Sequence, residues 1–131
     1  MKRTLRKKLD TLWSKTVRER DMWCCRHIGK TYSSRLNAHH IITKSTGDIL
    51  RWDVINGITL CCMPCHKWHD GSAHQDPNAF NKWYRKSHPS QWAYLQRQKH
   101  KKIYAKDRHY EIIKTAIETQ TAIIDIEKEL M

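Results

Sequence analysis

Two tight clusters of metal-favouring side chains, Cys24-Cys25-Arg26-His27 and Cys61-Cys62-Met63-Pro64-Cys65-His66, punctuate a chain of only 131 residues. A chain this short has room for one domain with a modest core, and small cores are commonly reinforced by a bound metal or by self-association. The five cysteines are odd in number and grouped, which suits a thiolate metal site in a reducing compartment better than a disulfide framework. Structural zinc takes four ligands, often from two short turns whose ligands are two residues apart. Cys62 and Cys65 form one such turn. Cys24 forms the other if His27 replaces the second cysteine, giving a Cys3His set of Cys24, His27, Cys62 and Cys65 for one structural Zn. Cys25 in place of Cys24, and Cys61 in place of Cys62, stay open, as does burial of all five as apolar thiols.

Lysine and arginine number 25 against 13 acidic residues, a formal charge of +12 with His neutral, which favours a polyanionic partner, nucleic acid first. The apolar runs are too short for a membrane span, and the basic N-terminus continues into a charged amphipathic segment where a secretory peptide would be apolar. A cytoplasmic protein with no membrane partner is expected. Residues 109–131 hold two lysines and five acidic residues, so the basic excess lies wholly within residues 1–108. The chain therefore divides into a basic part, 1–108, and an acidic amphipathic C-terminal helix, 109–131.

Leu5, Leu9, Leu12, Trp13, Thr16 and Val17 recur at helical spacing and predict a basic amphipathic helix ending near Asp21. Residues 36–43 and 58–60, the latter following an Asn56-Gly57 turn, predict two strands joined by a loop with Lys44, Ser45, Gly47 and Arg51. A brief helical pattern through Trp68 and His69 follows Cys65. Another starts after Asp76-Pro77, with Asp76 or Asn78 as cap and Phe80, Trp83 and Tyr84 on the helix. Pro89 breaks the next junction before Trp92 and Leu95, and a basic string runs from Arg97 to Lys102. Ile112, Ala116, Thr119, Ile123, Ile126 and Leu130 alternate by four and three. That seam predicts docking on the first helix, pairing as a homodimer or capture of a protein partner. The six tryptophans read as core anchors rather than base-stacking platforms.

His39 and His40 are neighbours, so on a strand they face opposite sides, although a strand end can bring both to one phosphate. AHHI, then RWD-x-x-NGITLC, then CxxCHKWH together resemble the HNH endonucleases of the ββα-metal (His-Me finger) superfamily, in particular small phage-type or homing-type members, over roughly residues 20–85. The resemblance implies an α+β fold with a ββα-metal core and zinc knuckle, surrounded by N- and C-terminal helices. It implies a DNA endonuclease in which His40 is the general base and Asn56 the residue bracing the loop and the base. His39 and His66 would hold one catalytic divalent ion, Mn, Ni, Mg or Zn, with His69 on the same side as a second candidate ligand. Imidazole ligands favour Mn²⁺ or Ni²⁺ over an all-oxygen Mg²⁺ site. An unperturbed His40 would make activity rise from acidic to neutral pH.

Lys44, Arg51, Lys82, Arg85 and Lys86 are the candidate DNA contacts, all sequence-blind. If phage-encoded, the protein would work in a bacterial host cell. Two alternatives remain in view: a non-catalytic zinc-knuckle DNA-binding module, and a nuclease accessory of a phage packaging or recombination complex.

Overall fold

In a computed structural model, residues 1–27, 36–61 and 72–130 are described. Over these the fold is α+β, with six α-helices placed around one two-stranded antiparallel sheet. Helix α1 (Arg3–Arg20) buries Leu9, Trp13, Thr16 and Val17 along one face, the stripe its periodicity predicts. That face packs on β1 (Leu36–His40), β2 (Gly57–Cys61), α2 (Asp48–Trp52) and α5 (Tyr110–Glu118).

The two strands run in register from Leu36 opposite Cys61 to His40 opposite Gly57. All five residues of β2 are buried, because its outer edge is also covered. Thr59 N–H donates to Asp21 Oδ2 at 2.9 Å, and Thr59 carbonyl accepts Arg26 N–H at 2.9 Å. The Cys24–His27 turn is thereby pinned beside β2. α1 enters that turn through a corner in which Met22 and Trp23 both take left-handed backbone, φ 57° and 55°.

The predicted strand over 58–60 is present one residue longer at each end, but Asn56-Gly57 is not a hairpin turn. Asn56 ends a 3₁₀ turn (Val54–Asn56), and Gly57 is extended at φ −116°. Its requirement is steric: a Cβ at Gly57 would lie 2.5 Å from Val17 Cγ2 and 2.8 Å from Trp13 Cζ2. Glycine lets α1 approach the sheet backbone at that point. The predicted loop between the strands contains α2, which is too short for its periodicity to register in sequence.

Helix α3 (Pro77–Ser87) starts as predicted, with Asp76 Oδ1 accepting Ala79 N–H at 3.2 Å. α4 (Pro89–Gln98) follows across the Pro89 junction. The C-terminal seam is not one helix. α5 buries Ile113, Ala116 and Ile117, and stops where Gln120 turns left-handed at φ 54°. There Gln120 N–H bonds Ile117 carbonyl at 3.0 Å and Thr121 N–H bonds Ala116 carbonyl at 2.8 Å, a Schellman termination. Thr119, placed on the seam by its spacing, is exposed. A 3₁₀ turn (Ile123–Ile126) and α6 (Glu127–Leu130) then bring Ile123 and Leu130 into the same core. No described helix is long and apolar enough to cross a membrane.

Candidate functional site

His40 ends β1, and two neighbours fix its ring. The imidazole lies flat on the Trp13 indole, with centroids 3.8 Å apart and planes within 8°. Its Nε2 is 2.8 Å from the Arg51 carbonyl. A carbonyl only accepts, so Nε2 carries the hydrogen and the lone pair is on Nδ1. Burial, together with the nearby Lys44 and Arg51 charges, pushes His40 down to about 4, against the opposing pull of the Arg51 carbonyl and Asp10. The ring is a neutral base at every pH near neutrality.

Each neighbour is anchored in turn. Trp13 donates its indole N–H to the Asp53 carbonyl at 2.8 Å. The Asp53 carboxylate, fully buried, accepts Ile55 N–H at 2.9 Å, Ile123 N–H at 3.3 Å and the Tyr94 hydroxyl. Burial raises its pKa despite those bonds. Arg51 is clamped by Asp10, Nε to Oδ1 at 2.9 Å and Nη2 to Oδ2 at 2.7 Å, and Asp10 also accepts the Trp52 indole N–H at 2.9 Å. The Arg51 carbonyl thus stands at a fixed place between α1 and the strand end.

Asn56 is fully buried and spends its side chain on the loop between β1 and α2. Oδ1 accepts Ile42 N–H at 2.8 Å, while Nδ2 donates to Ile42 carbonyl at 2.8 Å and Leu50 carbonyl at 2.9 Å. Its side chain holds that loop and has no exposed surface.

His39 faces the other side of the strand, edge-on to Phe80 of α3 at 5.4 Å. Even so, His39 and His40 line one open cavity of about 430 Å³, together with Thr43, Lys44, Ser45 and His74. The strand end does bring the pair to one place. His74, whose ring is perpendicular to His39 at 5.2 Å, was not singled out by sequence reasoning. Its only sequence signal is its position just ahead of the Asp76-Pro77 helix start. Asp10 carried no signal at all, because it acts through Arg51 and Trp52, more than 40 positions away in sequence.

Of the cysteines weighed as zinc ligands, Cys25 and Cys61 are buried and Cys24 is half-buried. His27 packs against Trp83 at 4.4 Å and Phe80 at 5.6 Å. Cys62, Cys65, His66 and His69 lie outside the described residues, and among the described residues no three metal-capable side chains cluster. Of the candidate DNA contacts, Lys44, Lys82, Arg85 and Lys86 are exposed. Lys82 and Arg85 line a shallow groove of about 200 Å³ with Asn78, Asn81 and Trp92. Arg51 differs, being held by Asp10 and stacked 5.6 Å from the Trp52 ring.

Compared with known proteins, the chain matches no family model, no curated protein and no solved structure.

Proposed function

We propose that this chain is an HNH-type, metal-dependent DNA endonuclease built on a ββα-metal core with a zinc knuckle, His40 being the general base. The observation that carries this reading is the His40–Arg51 hydrogen bond, which leaves Nδ1 as the unprotonated nitrogen of a ring lining the same cavity as His39 and Lys44. Three imidazoles, an ammonium and two hydroxyls in one open cavity suit a phosphodiester and a borderline divalent ion. Such an ion would be held by His39 and His66, with His69 in reserve, and would neutralise charge on the non-bridging and leaving oxygens of the phosphate.

His40 takes the proton of the attacking water through Nδ1. The Arg51 carbonyl stabilises the imidazolium that results, since both ring nitrogens then donate. Lys44 attracts the scissile phosphate, and the Asn56 bonds to Ile42 and Leu50 keep the strand end and α2 in register while this happens. Cys24, His27, Cys62 and Cys65 would hold the zinc that ties the two halves of the frame, with no part in the chemistry.

Supercoiled plasmid is incubated with the protein across Mg²⁺, Mn²⁺, Ni²⁺ and Zn²⁺, with the His40→Ala variant alongside. Wild type should yield nicked or linear DNA, with Mn²⁺ or Ni²⁺ at least as effective as Mg²⁺, and the variant should bind DNA without cutting it. Absence of cleavage with every ion would overturn the reading in favour of a non-catalytic DNA-binding module.

A further inference from the structure

His74 stands on a turn that the chain holds rigidly. Ser72, fully buried, accepts Asp76 N–H on its carbonyl at 2.9 Å and Gln75 N–H on its hydroxyl at 3.2 Å. Ala73 is buried, and Asp76 then caps α3. His74 itself is exposed between these anchors. An apolar packing role does not explain an exposed imidazole on the wall of a cavity it shares with His39, His40 and Lys44.

The relation to His39 is more informative. Two imidazoles on one ion, each nitrogen roughly 2.1 Å from it, place their ring centres roughly 4.6 to 5.3 Å apart for ligand angles between square and tetrahedral. The His39 and His74 centroids are 5.2 Å apart with planes at 90°. A perpendicular pair also arises from ring packing alone. Here, however, the pair lines a cavity with a third imidazole, His40, and with Lys44. Phe80, 5.4 Å from His39 and 1% exposed, restricts that ring from behind.

We propose that His74 is a ligand of the divalent ion at this site, forming with His39 an imidazole pair supplied by β1 and by the turn before α3. The inference rests on the reading of His39 as a metal ligand. It also specifies the ion's class: each added imidazole moves preference away from Mg²⁺ toward Mn²⁺, Co²⁺, Ni²⁺ or Zn²⁺. Because the two donors come from elements separated by 35 positions in sequence, binding would also tether the start of α3 to the sheet.

The test uses full-length protein purified with zinc and titrated with Mn²⁺, which does not compete for a thiolate knuckle. Electron paramagnetic resonance reads both affinity and the number of coordinated imidazole nitrogens. His74→Ala, at an exposed position, should keep the wild-type circular dichroism spectrum, weaken Mn²⁺ binding about tenfold or more, and remove one imidazole from the Mn²⁺ signal. His39→Ala should do the same, and His74→Asp, which offers an oxygen ligand instead, should recover most of the affinity. Unchanged affinity and an unchanged nitrogen count in His74→Ala would overturn the proposal, as would a wild type that binds no Mn²⁺. Plasmid cleavage in parallel separates this from the function itself. Mn²⁺ binding through His74 without cleavage sinks the nuclease reading alone, and cleavage with a His74-independent Mn²⁺ site sinks the ligand assignment alone.

Discussion

The His40 imidazole rests face to face on the Trp13 indole, 3.8 Å between centroids and 8° between planes, so the first helix supplies the wall behind that ring at the end of the sheet. The indole removes water from one face of the ring, and the Arg51 carbonyl takes the Nε2 hydrogen at 2.8 Å. Together they fix both the tautomer and the charge state of the ring. The Trp13 N–H bond to Asp53 makes this wall part of the core, since Asp53 also gathers Tyr94 and Ile123.

That environment sets the pH profile. With His40 pushed down to about 4 from an ordinary 6.5, its neutral form persists well below neutrality. Cleavage should be flat from about pH 5.5 to 7.5 and be lost as pH falls through about 4, without the inflection near 6.5 that an unperturbed histidine gives. The unfolded chain takes up this proton near 6.5 and the folded chain does not, so stability should fall as pH drops from about 6.5 toward 4. A proton NMR titration of the His40 ring checks the first point, and thermal melts over the same window check the second. A ring titrating near 6.5 would contradict both.

Gly57→Ala should disturb the same wall. The new Cβ would meet Val17 at 2.5 Å and Trp13 at 2.8 Å, and both belong to a helix packed against the sheet. Overpacking of this kind costs about 1–3 kcal/mol. Displacing Trp13 should also rehydrate His40 and move its titration upward. Urea denaturation and the ring titration measure the two effects on one variant.

Asn56→Ala leaves the Ile42 amide and the carbonyls of Ile42 and Leu50 without their side-chain partner. Each buried group left unpaired costs roughly 1–3 kcal/mol, and partial access of water at Ile42 brings the expected loss to about 2–4 kcal/mol. Cleavage should fall with kcat more affected than KM, because the base is misplaced while the DNA surface is intact. Equal stability of variant and wild type would show that the loop is held by something else.

The sequence announced those features whose partners are close in sequence or periodic. Helix α1, the Asp76 cap and the presence of two strands follow from periodicity, a capping residue and β-branched runs. The His39-His40 pair stood out by adjacency, and its division between two faces of a strand follows from the pleat. What stayed hidden depends on long-range meetings: Asp10 with Arg51, Trp13 with His40, and His74 with His39. The C-terminal seam misled because its period continues through Gln120, whose left-handed turn ends the helix, while Ile113 and Ile117 rather than Ile112 and Thr119 fill the core. Replacing Gln120 with glycine, which adopts that conformation without penalty, should stabilise the fold by about 0.5–1 kcal/mol, read as a raised Tm.

On the proposed function, salt dependence separates charges that would meet DNA from charges that build the fold. Arg51 is bound by the Asp10 carboxylate through two bonds, whereas Lys44 is exposed on the cavity wall. A lysine that neutralises one phosphate releases about 0.9 counterion. Lys44→Ala should therefore weaken DNA binding and lower the slope of log Kd against log salt by about 0.9. Lys82→Ala and Arg85→Ala should do likewise if their groove follows the DNA backbone. Arg51→Ala should leave the slope unchanged and instead lower stability, because Asp10 loses its cation and the α1–α2 contact loosens. Fluorescence anisotropy at several salt concentrations, paired with denaturation of each variant, measures both quantities. A slope change in Arg51→Ala equal to that in Lys44→Ala would place the Arg51 side chain on the DNA despite its ion pair.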